Sequence, residues 1–195
     1  YSMLGENLKT WFRFVSDSGL RLKLDNLSRY KLVYLPQIKY TDTATGEALL
    51  EYVKEGGRLI IFDPEAFVWN IDGTGLDKIR NEIIGCRPGK ALDAKTVIVA
   101  TDYSGLKKGD ELPLTSLAGR ADAGKVQAFE IIPPDGAKII ANYPDGKPAA
   151  FERTVGKGSV IYFAAQPFGN SELAAKNSKW SAFMKAQAEQ VGEKL

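Results

Sequence analysis

From Leu8 the apolar residues Leu8, Trp11, Phe12 and Val15 recur at i, i+3, i+4 and i+7, behind Asn7 as a helix cap and ahead of Gly19 as a terminator. This spacing predicts an amphipathic first helix with Trp11 as a core anchor. Leu20, Leu22 and Leu24 then alternate with Arg21 and Lys23, which predicts a strand with one wet face near a sheet edge. Lys31 to Leu35 is apolar on both faces and closed by Pro36, the pattern of a buried parallel strand. Asp42 or Thr43 can cap a helix that buries Ala48, Leu49, Tyr52 and Val53, and Gly56-Gly57 ends it. Leu59 to Phe62 reads as a second buried strand. Strand, helix and strand in so few residues require a right-handed parallel crossover. Leu76, Ile79, Ile83 and Ile84 mark one face of another helix.

After about Arg87 the pattern shortens. Val97 to Ala100, Val126 to Ile132 and Lys138 to Asn142 read as strands separated by Gly, Pro and Asp clusters, without helical spacing between them. Turns at Tyr143 to Lys147 and at Gly156 to Gly158, ahead of Val160 to Phe163, predict a three-stranded antiparallel meander. A closing helix places Trp180, Phe183, Met184, Ala188 and Val191 on one face. With no repeat and no linker, residues 1–195 read as one α/β domain.

Composition narrows the chemistry. The chain contains no histidine, so no Ser/His/Asp or Cys/His relay can be built in it, and most zinc sites are excluded. Its 26 Lys and Arg against 24 Asp and Glu are scattered, which argues against a nucleic-acid partner. The single cysteine, Cys86, excludes an internal disulfide and reads as a small buried hydrophobe after a helix. No apolar run approaches the ~20 residues of a membrane span, so the chain is expected to be soluble. A start at Tyr1 suggests a fragment or processed product, leaving a secreted or periplasmic bacterial parent open.

The strings Tyr30-Lys31-Leu32-Val33-Tyr34-Leu35-Pro36 and Tyr52-Val53-Lys54-Glu55-Gly56-Gly57-Arg58-Leu59, with Gly156-Lys157-Gly158-Ser159-Val160-Ile161-Tyr162 later, carry a resemblance. They resemble class I glutamine-amidotransferase-like domains, in particular the β-galactosidase trimerisation domain of glycoside hydrolases. The resemblance implies a flavodoxin-like, largely parallel sheet flanked by helices, with the meander in the C-terminal half. It also marks two losses. Asp63-Pro64-Glu65 stands where that family's active members carry a nucleophilic cysteine elbow, and Ala164 to Gly169 stands where they carry a His-x-Glu pair.

In an open α/β sheet ligands bind beyond the carboxyl ends of the strands, here Pro36 to Tyr40, Asp63 to Trp69 and Gln166 to Asn170. Asp63 and Glu65 are a candidate carboxylate pair, although Asp-Pro more often opens a turn. Tyr40, Trp69 and Phe168 are candidates for stacking on a sugar or packing on a neighbour, and Gln166 shares their loops. Gly73-Thr74-Gly75 fails the dinucleotide fingerprint, having no directly preceding strand and Lys at position 78. Asn26-Leu27-Ser28 is a glycosylation triplet of low specificity. Asp102, Asp110, Glu111 and Asp122 lack the spacing of a calcium loop. No cofactor or metal is expected. The sequence favours a non-catalytic domain of a larger carbohydrate-active protein, serving domain packing or subunit assembly. The expected partners are the parent's other domains and further copies of the chain. The alternative is a module binding a small ligand or carbohydrate at the strand ends, and a stand-alone enzyme using Asp63 and Glu65 ranks last.

Overall fold

A computed structural model describes residues 2–115, 127–167 and 177–192. Seven strands form one sheet in the order β1 (Leu32–Leu35), β3 (Arg58–Ile61), β9 (Gly158–Phe163), β8 (Pro148–Val155), β7 (Lys138–Asn142), β5 (Thr96–Val99) and β6 (Glu111–Pro113). A separate parallel ribbon pairs β2 (Tyr40–Thr41) with β4 (Trp69–Asn70). The α-helices among the described residues are α1 (Asp17–Arg21), α2 (Thr43–Lys54), α3 (Asp77–Ile83) and α4 (Ser178–Gln190), with a π-helical turn at Ser2–Asn7 and a 3-10 turn at Leu27–Arg29.

The expected parallel crossover is present, since β1 and β3 pair in parallel with α2 between them. Asp42 caps α2 by accepting the Thr45 N–H at 2.8 Å. A flavodoxin-like, largely parallel sheet is not what forms. Only β1, β3 and β9 run parallel, and every other neighbour in the sheet is antiparallel. Tight turns can join only antiparallel neighbours, and the C-terminal half is rich in them. At the first, Gly146 takes φ +85° and the Tyr143 N–H donates to the Lys147 carbonyl at 2.8 Å. At the second, Gly156 takes φ +61° against the end of α2, where an added Cβ would stand 2.6 Å from Lys54 Cα. β7, β8 and β9 are the expected meander.

The strand pleat divides the core in two. Leu59, Ile61, Val160 and Tyr162 face α2 and α3, where Leu49, Val53, Ile79 and Ile83 lie. Ile60, Phe62, Ile161 and Phe163 face α4, where Trp180, Phe183 and Met184 lie. Trp180 is wholly buried, its ring edge-on to Phe62 and its indole N–H donating to the Pro113 carbonyl at 2.9 Å. Cys86 is buried after α3, as expected.

Four expectations fail. Residues 8–16 form no regular helix, α1 spans only Asp17–Arg21, and Trp11 is 99% exposed. Trp11, Phe12, Phe14 and Val15 are modest helix formers, and Phe14 falls off the supposed face, whereas Ser16 supplies a cap by accepting the Gly19 N–H at 3.1 Å. Leu20 to Leu24 is no strand, because Leu24 and Asp25 both donate to the Gly19 carbonyl and fold back on α1. β1 is a half-buried edge strand, so its apolar outer residues meet loops and helices instead of a further strand. Residues 127–132 make only isolated bridges, Ala128 with Ala165 and Phe129 with Ala91, and Val126 lies outside the described residues.

The two tryptophans should therefore separate cleanly. Trp180→Ala should cost roughly 3–5 kcal/mol by denaturant titration. Trp11→Ala should stay within about 0.5 kcal/mol, and a large loss there would mean that the arm is packed against the core.

Candidate functional site

The parallel trio sets one rim. Beyond the carboxyl ends of β1, β3 and β9, the chain enters Pro36 to Tyr40, Asp63 to Trp69 and Ala164 to Pro167. Asp63 follows Phe62 directly and is buried. Its Oδ2 accepts the Ile38 N–H at 2.6 Å and its Oδ1 accepts the Glu65 N–H at 2.9 Å. Burial pushes the Asp63 carboxyl above the usual range, while those two N–H donors and the nearby Arg80 charge pull the other way. This is a turn opener whose oxygens are occupied by main-chain N–H groups, one from its own turn and one from the segment after β1. Glu65 turns instead to Lys39, with Nζ and Oε1 2.8 Å apart.

Arg80, which the sequence reading did not single out, organises this rim. Its guanidinium is 1% exposed and donates through Nη1 to the Ala66 carbonyl, through Nη2 to Pro64 O at 3.2 Å and Tyr162 Oη at 3.0 Å, and through Nε to Cys86 O at 2.9 Å. The Tyr162 hydroxyl donates in turn to Pro64 O at 2.6 Å. A signal existed in the sequence, since Arg80 falls four residues after Leu76, on the apolar face of α3. A cation there needs buried acceptors.

Tyr40 and Trp69 come together. They are register partners in the β2–β4 ribbon, where Phe67, Trp69 and Ile71 N–H groups donate to the carbonyls of Ile38, Lys39 and Thr41. Tyr40 is 61% exposed and Trp69 41%. Asp63, Glu65, Tyr40 and Trp69 thus share one rim. Gln166 is buried on the continuation of β9, donating its N–H to Gln127 O at 2.8 Å, and Phe168 lies outside the described residues.

The remaining candidates resolve as structure. Asp72 caps the Gly73 turn by accepting from the Thr74 N–H and Oγ1. Asp110 accepts the Lys107 N–H and pairs with Lys179 at 2.8 Å, Asp102 accepts the Lys108 N–H, and Asp122 lies outside the described residues. Among the described residues no group of three or more His, Cys, Asp and Glu is placed to hold a metal. Burial raises the Cys86 thiol to about 11, the reverse of nucleophile activation. At the amino ends of the parallel strands lies an open hollow of about 670 Å³, with Lys31, Tyr52 and Arg58 on its wall. Arg58 is already engaged by Glu152, Gln187, Ser159 and Tyr103. No helix among the described residues is long and apolar enough to cross a membrane.

Comparison with known proteins gives consistent matches. The family model of the β-galactosidase trimerisation domain matches residues 4–190. β-Galactosidase BglY of Alicyclobacillus acidocaldarius is 28% identical over 151 residues, covering 72% of this chain and 20% of that protein. The structure superposes on a β-galactosidase from Bacillus circulans sp. alkalophilus with TM-score 0.69 and 17% identity, over 99% of this chain and 26% of that one. A GH42 β-galactosidase from G. stearothermophilus gives TM-score 0.63 and 20% identity, over 88% and 23%. The chain therefore spans a fifth to a quarter of the length of these relatives.

Two measurements test the rim. Arg80→Leu should cost about 3–5 kcal/mol, because it strands the Pro64, Ala66 and Cys86 carbonyls that the guanidinium satisfies. Asp63 has its carboxyl raised in the folded state, so its contribution to stability is fully present below the ordinary aspartate range and is lost as pH rises through its folded pKa. The stability of the native protein relative to Asp63→Asn should accordingly decline across that window. A relative stability that instead rises with pH would show that the N–H donors and Arg80 outweigh burial.

Proposed function

The chain belongs to the β-galactosidase trimerisation domain family, a non-catalytic domain of larger glycoside hydrolases, and we propose that it serves subunit assembly and domain packing within such a parent protein. The observation that carries this reading is the occupied tip of β3. Asp63 spends both carboxylate oxygens on main-chain N–H groups, Glu65 in its own loop and Ile38 in the loop after β1, and Arg80 and Tyr162 fill the space beneath it. We further read the β1–β3–β9 trio with its α2 crossover as a reduced amidotransferase-like core, in which Asp63-Pro64-Glu65 replaces the nucleophile elbow. A glutaminase assay should then give no ammonia release.

The assembly reading is tested on the parent protein by sedimentation, with and without these 195 residues. The intact protein should be an oligomer, and removal of the domain should lower its mass to that of fewer subunits. An intact protein that sediments as a monomer would sink the reading.

One observation favours a second reading, carbohydrate binding at the rim. Tyr40 and Trp69 are register neighbours, both exposed, with the Lys39–Glu65 pair beside them. Aromatic faces beside polar groups suit a sugar ring. Galactose, glucose and β-linked disaccharides should nevertheless leave the melting temperature unchanged. A binding module at ~100 times its dissociation constant would gain about 2.7 kcal/mol and several degrees, and a saturable shift removed by Trp69→Ala would establish that reading instead.

A further inference from the structure

Among the described residues, the large hydrophobic side chains left exposed are Trp11, Phe14, Leu22, Leu24, Tyr40, Trp69, Ile71 and Ile132. All but Ile132 fall into two groups. We infer that one group meets the other between copies of the chain: the arm carrying Trp11, Phe14, Leu22 and Leu24 docks on the β2–β4 ribbon of a second copy. The inference rests on the assembly reading above and names the surfaces it would use.

The arm is held in place without burying these side chains. Arg13 pairs with Asp25 at 3.0 Å, which ties the limb carrying Trp11 and Phe14 to the limb carrying Leu22 and Leu24. Val15 and Leu20 pack on the α2 side of the core, and the Asp17 carbonyl accepts from Thr45 Oγ1 at 3.3 Å. Trp11 is 99% exposed, Phe14 77% and Leu24 78%. The four outward side chains offer roughly 600 Å² of apolar surface, close to the ~800 Å² that each partner contributes to a stable protein interface. The ribbon presents Tyr40, Trp69 and Ile71 on a backbone ladder fixed from Ile38 to Ile71.

Charge and symmetry select the pairing. The arm carries Lys9, Arg13, Arg21 and Lys23 against Asp17 and Asp25, whereas the ribbon and its flanking turns carry Asp42, Glu65 and Asp72 against Lys39, and Asp77 beyond them is already paired with Arg87. The two margins have opposite sign, as docked surfaces require. A two-fold contact lets a patch meet itself and closes at two copies. A ring of three closes through head-to-tail contacts, in which each patch meets a different one. The family description is a trimerisation domain, and a ring of three needs two unlike surfaces on each subunit; among the described residues the arm and the ribbon are the two groups of exposed large hydrophobics.

The test uses the full parent protein in three preparations: Trp11→Cys alone, Trp69→Cys alone, and an equal mixture whose subunits have been exchanged. Each is treated with a short bis-maleimide, and the native protein controls for the buried Cys86. Crosslinked pairs should form in the mixture and in neither single preparation. Trp11→Ser combined with Phe14→Ser should weaken the oligomer at least tenfold by sedimentation, with an unchanged circular dichroism spectrum. Crosslinking within either single preparation would overturn the proposal by showing a patch against itself. An oligomer undisturbed by the double serine variant, with no crosslink in the mixture, would place the interface elsewhere and overturn it while leaving assembly standing. A native parent that is monomeric would remove the assembly reading itself.

Discussion

A guanidinium in a protein interior must find acceptors for its donors, and Arg80 finds them almost entirely in main-chain carbonyls at the rim of the sheet. No ion pair to Arg80 occurs among the described residues, although Asp63 is close enough for the two charges to interact. Pro64 and Ala66 belong to the loop after β3, Cys86 to the turn after α3, and Tyr162 to β9. One side chain thus fixes three segments relative to one another. Phe67, next in the loop, takes φ +58° and is wholly buried, a conformation that costs energy in a non-glycine residue and needs support from its neighbours. With residues 63 to 67 held from below by Arg80 and from the side by Asp63, residues 67 to 71 can pair with residues 38 to 41.

The sheet gains from being mixed. Its parallel third places three strand ends at one rim and lets α2 cover one face, as in other α/β folds. Its antiparallel remainder needs only turns, so the chain from Lys138 to Phe163 folds through neighbours in sequence. The two regimes meet at β9, which pairs in parallel with β3 and antiparallel with β8. Gly158 opens that strand, packed so closely on the Gly57 and Val53 carbonyls that a side chain has no room. The Gly-Lys-Gly turn therefore serves both the meander and the end of the α2 crossover.

Periodicity made much of this legible. α2, α3, α4 and the meander follow from apolar spacing and turn residues, because in each case burial and local preference agree. The failures came where they disagree. Leu8, Trp11, Phe12 and Val15 have helical spacing, but a pattern of apolar residues states only that something covers them, and among the described residues Trp11 stays 99% and Phe14 77% exposed. The parallel content was overestimated because apolar runs do not record strand direction. Tyr40, Asp63, Glu65 and Trp69 lie at one rim, since strand ends in a parallel unit coincide. Their arrangement could not be read, because it depends on Arg80, seventeen residues beyond Asp63 and inserted in an apolar stripe.

An occupied rim and an exposed arm have one physical consequence. Both faces of the sheet are already covered, with Leu49, Val53, Ile79 and Ile83 on one side and Trp180, Phe183 and Met184 on the other. The fold therefore does not require Trp11, Phe14, Leu22 or Leu24 for its core, and burying them elsewhere costs the domain no internal packing. Their backbone is tethered by the Ser16 cap and the Arg13–Asp25 pair, so part of the ordering that a partner would require is already in place. The ribbon is preordered in the same way by its ladder to Ile38, Lys39 and Thr41. Apolar surfaces that contribute nothing to their own fold are suited to association, whereas a ligand site needs unspent polar groups in a cleft, and at this rim the Asp63 and Arg80 polar groups are spent on main-chain groups of the surrounding segments and on Tyr162.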